Sequence, residues 1–345
     1  MSPVYVVILA YGGREWLERF LPALIQTDYP ALTVWVVDNG SQPSLVPWLR
    51  EKFSSIQLLR YETNEGYAGG YQRFFVEHGR EVPYLCLLNS DVEVTPGWLK
   101  PLIQRMEEYP EIGAIQPKIL SWSDRQVFDY AGAAGGMMDA WGYPTCRGRN
   151  ERDKGQYDQP AQIFWASGAA FVVRTQAIYR SLGGVLFKPY YFMHMEEIDL
   201  CWRLQRAGWV IAYEPASIVY HVGGASLGQG DPRKTYLNFR NNLYLLWENL
   251  SPGERAIYLL RRLFLDSAVA FYLGFTQGLS HFQAVFRAYR DFWRQRHSLS
   301  FSDLPYLPFN SLTGVLSSPH LWASSPYELP SLSSGQKTAT QLPSS

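Results

Sequence analysis

Short, unbroken apolar runs that stop abruptly at polar residues constrain this fold more than any other feature of the chain. Tyr84–Leu88 is the sharpest case, giving way to Asn89, Ser90 and Asp91 within YLCLLNSDVEV. A run of this length without alternation reads as a strand buried on both faces, as in parallel sheets. Val4–Ala10 and Thr33–Val37 repeat the pattern, ending at Tyr11-Gly12-Gly13 and Asp38-Asn39-Gly40-Ser41, and Ile56–Arg60 is a further short strand. Residues 14–26 space Trp16, Leu17, Phe20, Leu21, Leu24 and Ile25 as a helical stripe, which Pro22 is expected to kink or shorten. A second helix is expected from Tyr71, after a glycine-rich loop at Asn64–Gly70. Strands alternating with helices predict an α/β fold: a Rossmann-like, mostly parallel central sheet with helices on both faces.

Further strands are expected at 113–117, 168–174, Trp209–Tyr213 and Ile218–Tyr220, with a helix at Glu196–Ala207 ended by Gly208. Residues 121–162 carry little periodicity and read as a long functional loop region. Segments 236–249 and 254–296 read as helices rich in aromatics and arginine. Within them Leu263–Leu279 is nearly apolar, but it contains Asp266 and Gln277 and falls short of the ~20 residues of a membrane span. Arg261, Arg262, Arg287, Arg290, Arg294 and Arg296 flank it, which suits a segment lying in a membrane interface. A helical cap packed on the main domain is the alternative. The expected division is a main domain at 1–245, a helical segment at 246–300 and a flexible tail at 301–345.

With 47% hydrophobic and 18% charged residues the chain is globular, and a net charge of zero gives no electrostatic case for nucleic acid. Cys86, Cys146 and Cys201 lack metal-ligand spacing and read as reduced, buried thiols of a cytoplasmic protein. The N-terminal apolar run is too short for a signal peptide and lacks its basic flank.

Ligands of open α/β sheets bind outside the carboxyl ends of the strands. Asp38 ends the second strand beside Ala10-Tyr11, where a carboxylate can accept from a base N–H or a ribose hydroxyl; DNGS is equally turn chemistry. Asn64–Gly70 suits close backbone approach to a nucleotide, although it is neither GxGxxG nor a P-loop. Asp91 needs a cation to be buried at its strand end, and Mg²⁺ or Mn²⁺ there would neutralise a diphosphate. Glu93 follows on the same side, and a cap for the helix after Pro96 is the competing role of Asp91. In YFMHMEEIDLCWR, Glu196, Glu197 and Asp199 open a helix, where the dipole favours acids. Crowded acids raise one another's pKa, so Glu197 is the candidate general base, and Asp199 is assigned to Arg203 one turn on. His221 follows a strand and precedes Gly223-Gly224-Ala225-Ser226; it is a candidate metal ligand or a structural histidine, with His194 a weaker competitor.

In order, VVILAYGG, VVDNGS, NEGYAGG, LLNSDVEV, WASGAAFVVR, HMEEIDLCWRLQRAGW, VYHVGGAS and FRNN resemble glycosyltransferase family 2, especially its rhamnosyltransferase-like members, over about residues 4–245. The resemblance implies a GT-A fold, with nucleotide-binding and acceptor-binding halves fused in one domain. It implies that Asp38 reads the nucleobase, that Tyr11, Asn64, Gly66, Asn89 and Ser90 line the donor, and that Asp91 and His221 hold Mn²⁺ or Mg²⁺. It also implies that Glu197 is the base. Asn89 stands where the family's D-x-D has its first acid, and Glu197 stands where an Asp is usual, so the helix must sit slightly further from the acceptor.

The implied activity is an inverting transfer from a nucleotide-diphosphate sugar, of dTDP-rhamnose or UDP-hexose type, to a saccharide or lipid-linked saccharide in cell-surface polysaccharide synthesis. FRNN and the arginine-flanked helices suggest an acceptor delivered at the inner face of the plasma membrane. Two other readings remain. A sugar nucleotidyltransferase would want a basic residue in a glycine-rich loop after the first strand, where Arg14 is the candidate. A saccharide-binding protein independent of metal and nucleotide would have no need for Asp91, Glu197 and His221 together.

Overall fold

The computed structural model describes residues 1–223 and 230–318. The strands β1 (Val4–Ala10), β2 (Leu32–Asn39), β3 (Gln57–Tyr61) and β4 (Tyr84–Leu88) run parallel in the order β3-β2-β1-β4. They are joined by the helices α1 (Arg14–Ile25), α2 (Val46–Lys52) and α3 (Gly66–His78). After β4 the chain forms β5 (Val92–Val94), α4 (Leu99–Glu108), β6 (Ile112–Ser121), the ribbon β7 (Gly136–Met138) and β8 (Pro144–Cys146), and β9 (Ala161–Gln162). β10 (Ala170–Arg174), α5 (Thr175–Leu182), α6 (Glu196–Arg206) and β11 (Val210–His221) follow. These extend the sheet as β4-β10-β6-β11-β5, with β10 antiparallel to both neighbours, β11 parallel to β6 and β5 antiparallel to β11.

Alternate side chains of one strand serve two cores. Val6 and Ile8 of β1 pack with α1 and α4 on one face, while Val7 packs with α3 on the other. A strand covered on both sides can be apolar at every position, which is why the central runs show no alternation.

Several boundaries differ from the sequence reading. α3 begins at Gly66 rather than Tyr71, because the glycines form its first turns: a Cβ on Gly70 would meet Leu9 Cδ2 at 2.7 Å, so glycine lets the helix press onto β1. α1 continues through Pro22 to Ile25. The two strands expected at 209–220 are one, with a register shift between Glu214 and Ile218. Part of the expected 121–162 loop is β7, β8 and β9.

Three helices close the molecule: α7 (Pro232–Asn249), α8 (Pro252–Thr276) and α9 (Leu279–Gln295). The expected boundary at 245/246 falls inside α7, whose Leu243, Tyr244, Leu245 and Leu246 share a core with α6. Residues 301–318 are not a loose tail. Phe309 is buried against Phe164, Trp202 and Tyr258, and Leu312 and Leu316 are buried beside it. Thr313 N donates to Gln205 Oε1 (2.9 Å) and Leu316 N to Met138 O (2.8 Å). Residues 319–345 of the expected tail, and Gly224-Ala225-Ser226, lie outside the described residues. All three cysteines are buried and unpaired.

Candidate active site

β1, β2 and β4 end side by side, with Ala10 opposite Asp38, so the loops that follow them form one rim. Asp38 is fully buried there and both carboxylate oxygens accept hydrogen bonds. Oδ1 accepts from Ser41 N (2.9 Å); Oδ2 accepts from Ser44 Oγ (2.8 Å), Leu45 N (3.0 Å) and an Arg60 guanidinium nitrogen (2.8 Å). Burial opposes the charge, but these bonds prevail and hold the pKa below the ordinary carboxylate value. These bonds build the turn after β2, and Oδ1, which takes a single donor, retains a lone pair for the nucleobase contact proposed for Asp38. Tyr11 is 64% exposed on the same rim, where Gly12 N donates to Ser41 Oγ (2.9 Å).

Asn39 and Asn64 organise the neighbouring loop. Asn64 Oδ1 accepts from Gly66 N (2.8 Å) and from Asn39 Nδ2 (3.2 Å), while Asn39 Oδ1 accepts from Glu65 N (3.2 Å). Gly66 has φ 72°, and a Cβ there would meet the carbonyl oxygen of Phe192 at 2.4 Å. Gly66→Ala is therefore expected to cost at least ~2 kcal/mol in denaturant titrations. Gly12→Ala, at φ 67° but with open space around it, should cost about 1–2 kcal/mol from backbone conformation alone. Equal losses would remove Phe192 from the account.

Asp91 and His221 meet because β5 pairs antiparallel with β11: Val92 lies opposite His221, and Asp91 O accepts from Val222 N (3.0 Å). Asp91 Oδ1 is 3.5 Å from His221 Nε2, and His221 Nδ1 is 3.1 Å from Asp129 Oδ2. Burial alone would lower the pKa of His221, but bonds and charge from Asp129 and Asp91 push it up to about 10. Burial raises that of Asp91, and His221 more than offsets this, holding it below the usual range. A carboxylate and an imidazole at this separation, with the far ring nitrogen on a second carboxylate, fit a divalent ion that takes the place of the proton on Nε2. Among the described residues no three His, Cys, Asp or Glu side chains form a metal-holding group, so waters and phosphates would complete its shell. Glu93 is engaged elsewhere, accepting from Trp122 Nε1 (2.8 Å) and Arg125 (2.8 Å). Asn89 and Ser90 are half-buried at the end of β4, and Asn89 N donates to Ala169 O (2.9 Å).

Glu196 and Glu197 open α6, and each has one buried carboxylate oxygen without a partner. Burial pushes Glu197 up to about 7, against stabilising backbone N–H groups of Glu197, Ile198 and Met195; burial and then the charge of Glu197 push Glu196 well above its ordinary value. Asp199 takes the structural role expected of it, accepting from Arg203 Nε (2.7 Å), and Lys188 and Asn249 join it. Glu197 lines a cleft of about 340 Å³ with His194, Tyr143 and Trp165. A second cleft of about 520 Å³ lies beside Asp129 and Gly223. Tyr130, Arg149, Lys234 and Asn238 line both clefts, so the cleft of Glu197 adjoins the one lined by Asp129, whose carboxylate bonds His221.

Residues 5–171 match the model of the family described as glycosyl transferase family 2. That stretch of the chain is a domain of that family. The N-acetylglucosaminyl-diphospho-decaprenol L-rhamnosyltransferase of Mycobacterium tuberculosis is 29% identical over 268 residues, covering 72% of this chain and 85% of the relative. S. aureus TarS 1-349 in complex with UDP-GlcNAc superposes with a TM-score of 0.55 at 15% identity, over 85% of this chain and 81% of that one. GalNAc-T7 with UDP, GalNAc and Mn²⁺ superposes with a TM-score of 0.56 at 17% identity, over 74% of this chain and 49% of that one. The fold is GT-A.

Two parts of this glycosyltransferase's site escape sequence reading. Asp129 is one. The other is the job of FRNN, which is to brace the loop carrying the acids. Phe192, His194 and Met195 hold positive φ (64°, 69° and 74°), a strained state for residues with side chains. Asn241 Nδ2 donates to the carbonyls of Tyr191 (2.9 Å), Met193 (2.8 Å) and His194 (2.8 Å), and Arg240 donates to those of Tyr190 and Tyr191. His194 faces the Glu197 cleft and not Asp91, its Nε2 unpartnered; burial and then Lys234 push its pKa down to about 4.

Proposed function

We propose that this chain is an inverting glycosyltransferase. It moves a sugar from a nucleotide-diphosphate donor of dTDP-rhamnose or UDP-hexose type onto a lipid-linked saccharide for cell-surface polysaccharide, working at the inner face of the plasma membrane. The observation that carries this reading is the pair of adjoining clefts, one lined by Glu197 and the other by Asp129, which bonds His221 beside Asp91. The acceptor and sugar follow the rhamnosyltransferase relative, whose name states a diphospho-decaprenol-linked acceptor.

Glu197, as carboxylate, removes the proton from an acceptor hydroxyl. The hydroxyl oxygen then bonds to the anomeric carbon while the bond to the diphosphate breaks on the opposite face, which inverts the centre. The buried, still protonated Glu196 keeps a second negative charge away from the base. Asp91 and His221 are the residues that would hold Mn²⁺ or Mg²⁺, and a bound ion neutralises charge on the leaving diphosphate. On the donor side, the Asn39–Asn64 pair fixes the Gly66 turn, and Tyr11 presents an exposed ring to the base.

Calorimetric titration with UDP, dTDP and GDP, with and without Mn²⁺, tests the reading. One nucleotide is expected to bind only with metal, and Asp91→Ala to abolish that binding. Equal affinity with and without Mn²⁺, or an unchanged Asp91→Ala, would remove Asp91 from the donor site.

A further inference from the structure

α8 is amphipathic in the reverse of the usual sense. Its inward row is Tyr258, Arg262, Asp266 and Ala270, with an ion pair at its centre: Arg262 and Asp266 are buried 3.1 Å apart, and Tyr143 and Tyr289 also donate to Asp266. The outward row is Ile257, Leu260, Phe264, Phe271 and Phe275. Spacings of three and four residues align this row, and the helical period puts it opposite the polar one. Phe264 is 70% exposed and Phe275 91%. α9 adds Leu279, Phe286 and Trp293 at the surface, and an apolar groove of about 630 Å³ between the helices is walled by Leu259, Leu263 and Phe292.

Charge on the hairpin is one-sided. Arg261, Arg287, Arg290 and Arg294 are exposed. Its acids are engaged: Glu254 caps α8 through Ser251, Asp266 is buried, and Asp291 bonds Arg290 and Tyr236. Among the described residues no helix is long and apolar enough to cross a membrane. A broad apolar face with exposed arginines and no free acid complements a surface that is itself apolar and anionic.

We infer that the α8–α9 hairpin docks the enzyme on an anionic phospholipid bilayer, its outward aromatic row entering the interface. The inference rests on the lipid-linked acceptor proposed above and names the surface that serves it. Arg262, on the inward row of α8, lines the Glu197 cleft together with Tyr143 and Asn242. The cleft thus lies one helix diameter, ~10 Å, from the surface on which the hairpin is placed.

Flotation of the full chain with phosphatidylcholine vesicles, with and without phosphatidylglycerol, is the test. Binding is expected only with phosphatidylglycerol. Phe264→Asp with Phe275→Asp should weaken it about tenfold or more, and so should Arg287→Glu with Arg294→Glu, while both variants keep nucleotide binding. Because the second pair lies on the surface, it preserves the test if the first perturbs folding. Three results overturn the inference: no flotation with anionic vesicles, variants that float like the parent chain, or a dimer in sedimentation that Phe264→Asp with Phe275→Asp dissociates. Nucleotide binding is read on the same preparations. Its presence without flotation defeats this inference alone, and its absence with flotation defeats the transferase reading alone.

Discussion

Glu197→Gln is expected to lower kcat by about 10²–10⁴-fold while leaving nucleotide affinity intact, because it deletes the base and keeps the shape of the side chain. Wild-type kcat should rise with pH through about 7, the value to which burial pushes this carboxyl. In the Gln variant the residual rate should lose that limb. The same raised pKa predicts an opposite effect on stability. The folded state retains the Glu197 proton between the ordinary value of 4.5 and about 7, whereas the unfolded chain releases it. The wild type therefore loses stability as pH rises through that window. Glu197→Gln removes this loss, so at pH 8 it should melt above the wild type. A variant with wild-type kcat would take Glu197 out of the mechanism; one that melted lower at pH 8 would contradict the buried-carboxyl account.

Asn241→Ala is expected to have the second largest effect. It removes the side-chain donor of three carbonyls, leaving those of Met193 and His194 unmatched while that of Tyr191 keeps Arg240, in a loop that already carries positive φ at three residues with side chains. Leaving a carbonyl unmatched costs ~1–3 kcal/mol, so with two part-buried ones a loss of about 2–4 kcal/mol is anticipated in denaturant titrations. Relaxation of the loop also moves the start of α6. A displacement of that kind, remote from the chemistry, lowers kcat by roughly 10²-fold. Donor binding should fall less than kcat, since Asn241 makes no bond to the Asn39–Asn64 loop, which the relaxed segment touches only through Phe192. A kcat within twofold of wild type in the folded fraction would mean that the loop keeps its shape unaided.

The donor half of the site is legible because it follows strand ends. An apolar run that stops at Asp38 or at Asn89-Ser90-Asp91 announces both the strand and the rim where its polar residues emerge. Glu196 and Glu197 are legible because two acids open a helix. Asp129 is not, since its partner His221 lies 92 residues further on and its own segment lacks periodicity. The clamp by Asn241 is equally hidden: an asparagine on a helix says nothing of the carbonyls it reaches about fifty residues earlier. Spacing of apolar residues misleads at 301–318, where Phe309, Leu312 and Leu316 stand three and four residues apart as on a helix, yet the chain makes only a single tight turn at Phe309–Ser311. Asp38 admits both of its expected roles, because its carboxylate holds the turn through Ser41 and Leu45 while Oδ1 keeps a lone pair for a ligand.

Phe192 ties the two halves of the enzyme into one inherited unit. Its carbonyl accepts from Ala68 N (3.0 Å), at the start of the helix that opens the donor loop, and it stands four residues before the first acid of α6. A hybrid assembled from two family members, with the donor loop of one parent and the base-bearing helix of the other, would bring together surfaces shaped for different partners at this backbone contact. Residues 64–70 and 188–197 must therefore be exchanged together, and new donor preferences are to be sought by changing side chains around a fixed Gly66–Phe192 seam.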